Sequence, residues 1–241
     1  MDRSNLVEIK KGQTGTGLLI ESDGYISPEV GNNKQLFESY RKLNESNEDG
    51  QFHCPFPFIV DAVFQKFGIE NANGRIYPEH ILKREVEKYQ KMIQERRAIG
   101  ELNHPAESVI DLSRVAMNIV ELHWEGHTLV GKLEILVSEA FRRYGIICCQ
   151  ADMAAHLLLR NIKIGVSSRG LGTVTQKMGV LYVADDYEIV CWDVVSDPST
   201  PGAFISSNRE DLQQYVESDE TNKNKSPLFE KLDKFGDWLN G

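Results

Sequence analysis

Four short segments in close succession, 163–168, 171–176, 180–184 and 187–195, do most to restrict what this chain can fold into. Each alternates apolar with small or polar residues and runs into glycine or acidic turn residues, a pattern of neighbouring strands rather than helices. Two further strands, 114–122 and 128–136, read as a hairpin turning at Glu125-Gly126. Residues 58–66 add another, with Phe58, Val60, Ala62 and Phe64 on one side. Helices are few. One is predicted from Pro78 to about Arg97, where Leu82, Val86, Tyr89 and Ile93 recur at helical spacing. A second runs from near Ile147 to Arg160, apolar enough to be buried. The fold class is therefore α+β, with a mixed β-barrel or sandwich core and helices around it.

The 241 residues suffice for one substantial core, which this reading places at 58–205. Ahead of it, 1–57 holds a strand at 17–21 and a polar loop region; 206–226 is a polar linker. The segment 227–241 is a short amphipathic tail carrying Leu228, Leu232, Phe235 and Leu239, either docked on its own domain or removable. No apolar run is long enough to span a membrane and no secretory leader precedes the core, so a soluble protein without a membrane partner is expected. With 27 basic and 36 acidic residues the net charge is −9, which argues against nucleic acid as a partner. Cys54, Cys148, Cys149 and Cys191 form no Cys-x-x-Cys pair and are expected as reduced, mostly buried thiols.

Three strings carry chemistry: Gly100-Glu101-Leu102-Asn103-His104-Pro105, Gly165-Val166-Ser167-Ser168-Arg169-Gly170-Leu171-Gly172, and Trp192-Asp193-Val194-Val195-Ser196-Asp197-Pro198-Ser199. They offer a histidine, a serine and an aspartate in an order unlike that of the common serine hydrolases. A serine hydroxyl needs a base to take its proton and a carboxylate to hold that base in one tautomer. His104 is the candidate base. Strand parity puts Ile162, Ile164, Val166 and Ser168 toward the core, and Ser167 with Lys163 and Gly165 on the accessible face. Ser167 is the preferred nucleophile, with Ser168 as the alternative. Asp193, a carboxylate inside an apolar strand, is the preferred third member, ahead of Asp197 and Glu101; a salt bridge to Arg169 is the competing structural role. Arg169 and the amides around Gly170 are candidate oxyanion donors. His123 and His127 admit a metal-hydrolase alternative, but His-Trp-Glu-Gly-His lacks the helical His-Glu-x-x-His order; no metal and no cofactor are expected.

These strings, together with Asn71-Ala72-Asn73-Gly74-Arg75-Ile76-Tyr77-Pro78, resemble the active-site segments of prohead proteases from T-even-type tailed bacteriophages, over roughly 58–205. The resemblance implies a serine endopeptidase with an assemblin-like fold that cleaves scaffold or core proteins and the major capsid protein inside the immature prohead, in the host cytoplasm. It further implies cleavage after glutamate in Leu/Ile-x-Glu contexts, with Arg75 and Arg169 available to meet that carboxylate. The chain contains such tripeptides itself, so self-processing of a zymogen is expected, Glu230 and Glu38 being the favoured boundaries. The alternative is an inactive head-assembly scaffold or binding protein of the same fold.

Overall fold

A computed structural model of the chain describes residues 8–10, 12–20, 54–105 and 107–206. Its strands are β1 (Gly15–Ile20), β2 (Phe58–Lys66), β3 (Arg75–Ile76), β4 (Ile99–Glu101), β5 (Val115–Glu125), β6 (Thr128–Ile135), β7 (Gly165–Lys177), β8 (Val180–Val183), β9 (Glu188–Val195) and β10 (Ile205–Ser206). Its helices are α1 (Glu79–Gln94), α2 (Glu139–Tyr144) and α3 (Gln150–Leu159). One five-stranded sheet runs β1-β7-β8-β3 with β9 also on β7; the other runs β10-β2-β6-β5-β4. The α+β class stands. The barrel does not: both ladders stop at edge strands, and among the described residues isolated bridges such as Leu102 to Val194 and Gly165 to Phe204, rather than a continuous ladder, stitch one sheet to the other.

The expected segments 163–168 and 171–176 are one strand. β7 is 13 residues long, and it takes β9 along Gly165–Leu171 and β8 along Val174–Lys177. The register against β9 slips between Arg169 and Gly170, which lets one strand serve both partners. Between the sheets lies a core of Phe58, Val60, Phe64, Ile119, Leu133, Val166 and Trp192. Trp192 has no exposed surface and meets Phe64 and Tyr89 edge-on, at centroid distances of 5.8 and 4.9 Å. Tyr89 comes from α1, whose Ile81, Leu82, Val86 and Tyr89 form the buried stripe that helical spacing predicts. Leu82 and Ile81 close a second core with Leu19, Val174 and Leu181.

Two local readings needed tertiary information. The stretch 71–77 holds β3 as well as a turn: the Asn71 side chain accepts the Asn73 and Arg75 amides, and Gly74 takes φ +72°. The predicted second helix is α3 (Gln150–Leu159), and a further short helix, α2, precedes it. α2 was not anticipated, because six residues give too short a periodicity; it starts at a Ser138 cap and stops at left-handed Gly145. Cys148 and Cys149 in the following link are exposed and Cys54 is half-buried, so only Cys191 fits the expected buried thiol; all four are free.

Asp152, fully buried, ties this region together. It accepts the Ser138 amide and hydroxyl at 2.7 and 2.8 Å and the Cys148 and Cys149 amides at 2.8 and 3.1 Å. Burial alone raises a carboxyl pKa, but here the donated hydrogen bonds outweigh it and Asp152 lies below its ordinary value. A folded-state pKa below the unfolded one stabilises at pH above the unfolded value, and that contribution is lost as pH falls through the folded one. Asp152→Asn is therefore expected to destabilise by about 2–3 kcal/mol near neutrality. The gap from wild type should narrow below about pH 4, as chemical denaturation at a series of pH values will read. A gap independent of pH overturns this account.

Candidate active site

The site is built on the pairing of β7 with β9. Ser167 lies directly opposite Asp193, and Ser168 opposite Trp192. Facing residues of an antiparallel pair project to the same side, so Ser167 and Asp193 share one face of the sheet while Ser168 shares the other with Trp192 and the core. The predicted parity holds. The predicted access does not, since Ser167 is 2% exposed, as buried as Ser168. The face read as open is roofed by polar groups from β4 and the segment that follows it.

The route from β4 to the histidine is set by backbone geometry. Leu102 forms a parallel bridge with Val194, and the Asn103 amide donates to the Val194 carbonyl at 2.7 Å. Asn103 then takes φ +67°, a left-handed turn that asparagine tolerates better than most residues. That turn brings the imidazole back over β9, where His104 Nδ1 lies 2.7 Å from Asp193 Oδ2. A carboxylate accepts only, so Nδ1 carries the proton and Nε2 is left as the acceptor. Nε2 is buried and has no hydrogen-bond partner among the described residues.

Asp193 is fully buried and has several neighbours. Oδ1 accepts the Glu101 amide at 2.8 Å and the Cys191 thiol at 3.4 Å. The Arg169 guanidinium lies against both carboxylate oxygens, Nη2 at 3.3 Å from Oδ1 and Nε at 3.0 Å from Oδ2. Arg169 itself has no exposed surface. Its Nη1 donates to the Glu107 carbonyl at 2.7 Å and its Nη2 to Glu101 Oε1 at 3.1 Å. Burial works against the arginine charge, but the Cys191 sulfur, Asp193 and Glu101 around it more than offset this and raise its pKa. Burial, then the Asp193 charge, pushes the Cys191 thiol well up, so it stays protonated and donates.

Arg169 thus takes the salt-bridge role weighed against Asp193 as a catalytic member, while Asp193 keeps an oxygen for His104. The guanidinium is occupied here by the Glu107 carbonyl, Glu101 and Asp193 rather than presented as an oxyanion donor or a reader of substrate carboxylates. Gly170 is inside the sheet, opposite Leu19 of β1 and Ile189 of β9, and a Cβ there would sit 2.4 Å from the Tyr187 ring. Its lack of a side chain answers to packing. Arg75 lies on β3, with β8 between it and β7, and is 1% exposed, with Nη2 donating to the Ile9 carbonyl. It too is enclosed by protein in this structure. Asp197 follows the end of β9, and the imidazole nitrogen it was to meet is taken by Asp193. His123 is engaged by Glu121 and Glu125 at 3.1 and 3.3 Å, and no group of three or more candidate ligands among the described residues is placed to hold a metal. Glu38 and Glu230 lie outside the described residues. The sequence offers Glu101 as a substitute for Asp193, whereas its amide donates to Asp193 and its carboxylate pairs with Arg169, a placement set by tertiary contacts that no local spacing signals.

A histidine tied to a buried carboxylate, with a serine on the same face, is the equipment of hydrolases that use a serine nucleophile. The sequence profile of the family described as prohead core protein serine protease matches residues 18–214, and the chain belongs to that family. The prohead core protein protease of Enterobacteria phage T4 is 29% identical over 163 residues, spanning 66% of this chain and 73% of that protein. The solved structure of the bacteriophage T4 capsid assembly protease is similar with a TM-score of 0.52 at 26% identity, covering 58% of this chain and 82% of that one. No helix among the described residues is long and apolar enough to cross a membrane.

Proposed function

We propose that this chain is a serine endopeptidase of the phage prohead core, with Ser167 as nucleophile, His104 as general base and Asp193 as the carboxylate that orients it. The observation that carries the reading is the 2.7 Å contact from His104 Nδ1 to Asp193, which leaves an unpartnered Nε2 on the face that Ser167 shares. In the first step Nε2 takes the Ser167 proton as Oγ attacks the scissile carbonyl, and Asp193 stabilises the imidazolium that forms. The imidazolium returns that proton to the leaving amine, and water then releases the acyl group by the same path. Because Ser167 is enclosed, the chain around it has to move before a peptide reaches it; catalytic groups are often set in their final geometry only by substrate.

The substrates in this reading are scaffold or core proteins and the major capsid protein, cut after glutamate within the immature prohead in the host cytoplasm. The chain also processes itself at Glu38 or Glu230. The reading includes a fold related to herpesvirus assemblin, with Asp193 in place of the histidine that is that family's third catalytic member. Intact-mass spectrometry of the purified chain over time, with and without a serine-directed fluorophosphonate, tests it. Adduct formation on Ser167 and glutamate-terminated fragments that the reagent suppresses are the expected result. No adduct and no fragments, with capsid and scaffold proteins also left uncut, would leave an assembly protein without protease activity.

A further inference from the structure

Beneath His104 lies a set of buried charges larger than a triad requires. Asp193, Glu101 and Arg169 are all fully buried, from β9, β4 and β7 respectively, and Arg169 lies between the two carboxylates. Glu101 is held in place by its contacts: Oε1 accepts the Asp111 amide at 2.8 Å, and Oε2 lies 3.2 Å from Nε of the partly exposed Arg114. Its amide meanwhile donates to Asp193. Among the described residues the Cys191 thiol and the Tyr89 hydroxyl also lie at the cluster, both held protonated by burial, with the Asp193 charge adding to the effect. Neither adds charge. The imidazole therefore faces two buried negative charges and one buried positive charge, with Arg114 screened by solvent at the margin.

That balance has a chemical consequence. A carboxylate neutralised by an arginine stabilises an imidazolium less than a bare one, because the cation is close to both. A bare carboxylate, enclosed as Asp193 is, is expensive to bury. With Arg169 alone the aspartate is kept ionised but its effect on His104 is largely cancelled. Glu101 restores the net negative charge while keeping every member of the cluster paired.

We propose that Glu101 and Arg169 are positioning residues that together set how strongly the His104 imidazolium is held, Arg169 keeping Asp193 charged and Glu101 offsetting Arg169. The proposal rests on His104 and Ser167 being base and nucleophile. It assigns Arg169 to the machinery under the histidine rather than to substrate.

The test is the second-order rate of fluorophosphonate labelling at Ser167 as a function of pH, for wild type, Glu101→Gln, Arg169→Gln and the double variant. Removing a negative charge disfavours the imidazolium, so Glu101→Gln should move the acid limb of the profile to lower pH by roughly one unit and slow labelling about tenfold. Removing the positive charge should move the limb the opposite way. The double variant restores the wild-type charge balance, so its limb should return to within roughly 0.3 unit of wild type while labelling stays slow for want of the clamp. Lost packing alone gives no such reversal of sign. Near-ultraviolet circular dichroism confirms folding, and if Arg169→Gln does not fold, Glu101→Gln and the double variant decide. An unmoved acid limb in Glu101→Gln, or a double variant displaced as far as that single one, overturns the proposal. If wild type itself takes no label on Ser167, the protease reading fails and this proposal with it; a labelled wild type with an indistinguishable Glu101→Gln refutes this proposal alone.

Discussion

Ser167→Ala is expected to remove fluorophosphonate labelling and peptide hydrolysis by at least ~10³-fold, while Ser168→Ala retains both within a few-fold. The two serines are equally buried, so exposure does not separate them. Their cross-strand partners do. Ser167 faces Asp193, and through it the imidazole; Ser168 faces Trp192, on the side where Val166 and Val194 are packed. The Ser168 hydroxyl is buried there without a hydrogen-bond partner among the described residues. A buried hydroxyl with no partner is destabilising, so alanine at 168 should leave the melting temperature unchanged or raise stability by up to about 1 kcal/mol. Ser167→Ala should also leave the fold intact, because it deletes one oxygen and no packing. The pair of variants thus separates catalysis from structure in both directions. Labelling that survives at Ser167→Ala and disappears at Ser168→Ala would transfer the nucleophile to the core face and break the parity argument.

What was legible in the sequence, and what was not, divides along the same strands. Alternation through Ile164, Val166 and Ser168 gives the phase of β7 correctly, because side-chain direction in a strand is a local property. It says nothing about what covers the other face. That Glu101 and His104 meet Asp193, the residue opposite Ser167, depends on β4 crossing β9, a contact made by residues some ninety positions apart. An aspartate between Trp192 and Val194 announced a buried, paired carboxylate, and it is one. Arg169 and Arg75 read as candidate substrate contacts because a guanidinium can pair bidentately with a carboxylate; only the assembled sheets show both enclosed. The sequence reads as two strands on either side of Arg169 and Gly170, whereas Gly170 makes room for the Tyr187 ring within one unbroken strand.

Gly100→Ala is expected to destabilise the chain by about 3 kcal/mol or more and to abolish labelling at Ser167, although residue 100 is not in the site. A methyl on Gly100 would sit 2.0 Å from the Trp192 carbonyl oxygen and 2.8 Å from Met117 Cε. The methionine can rotate away. The carbonyl cannot, because Trp192 is fixed by the edge-on contacts of Phe64 and Tyr89 and by pairing of its strand with β7. Relief has to come from separating β4 from β9, and the residues that cross β9 next are Glu101, Leu102 and Asn103. Separation there withdraws the Glu101 amide from Asp193 and carries His104 away from it, so the loss of stability and the loss of the base have one cause. Gly126→Ala is the control. That glycine turns the β5–β6 hairpin at φ +59° with nothing within 4 Å of its missing side chain, so alanine there should cost about 1 kcal/mol and leave labelling untouched. Thermal melts of the two variants should differ by several degrees, since about 1 kcal/mol shifts the midpoint by roughly 2–4 °C in a chain of this size. Equal melting temperatures, or a Gly100→Ala variant that labels at the wild-type rate, would mean that β4 reaches His104 to Asp193 without the close crossing this structure shows.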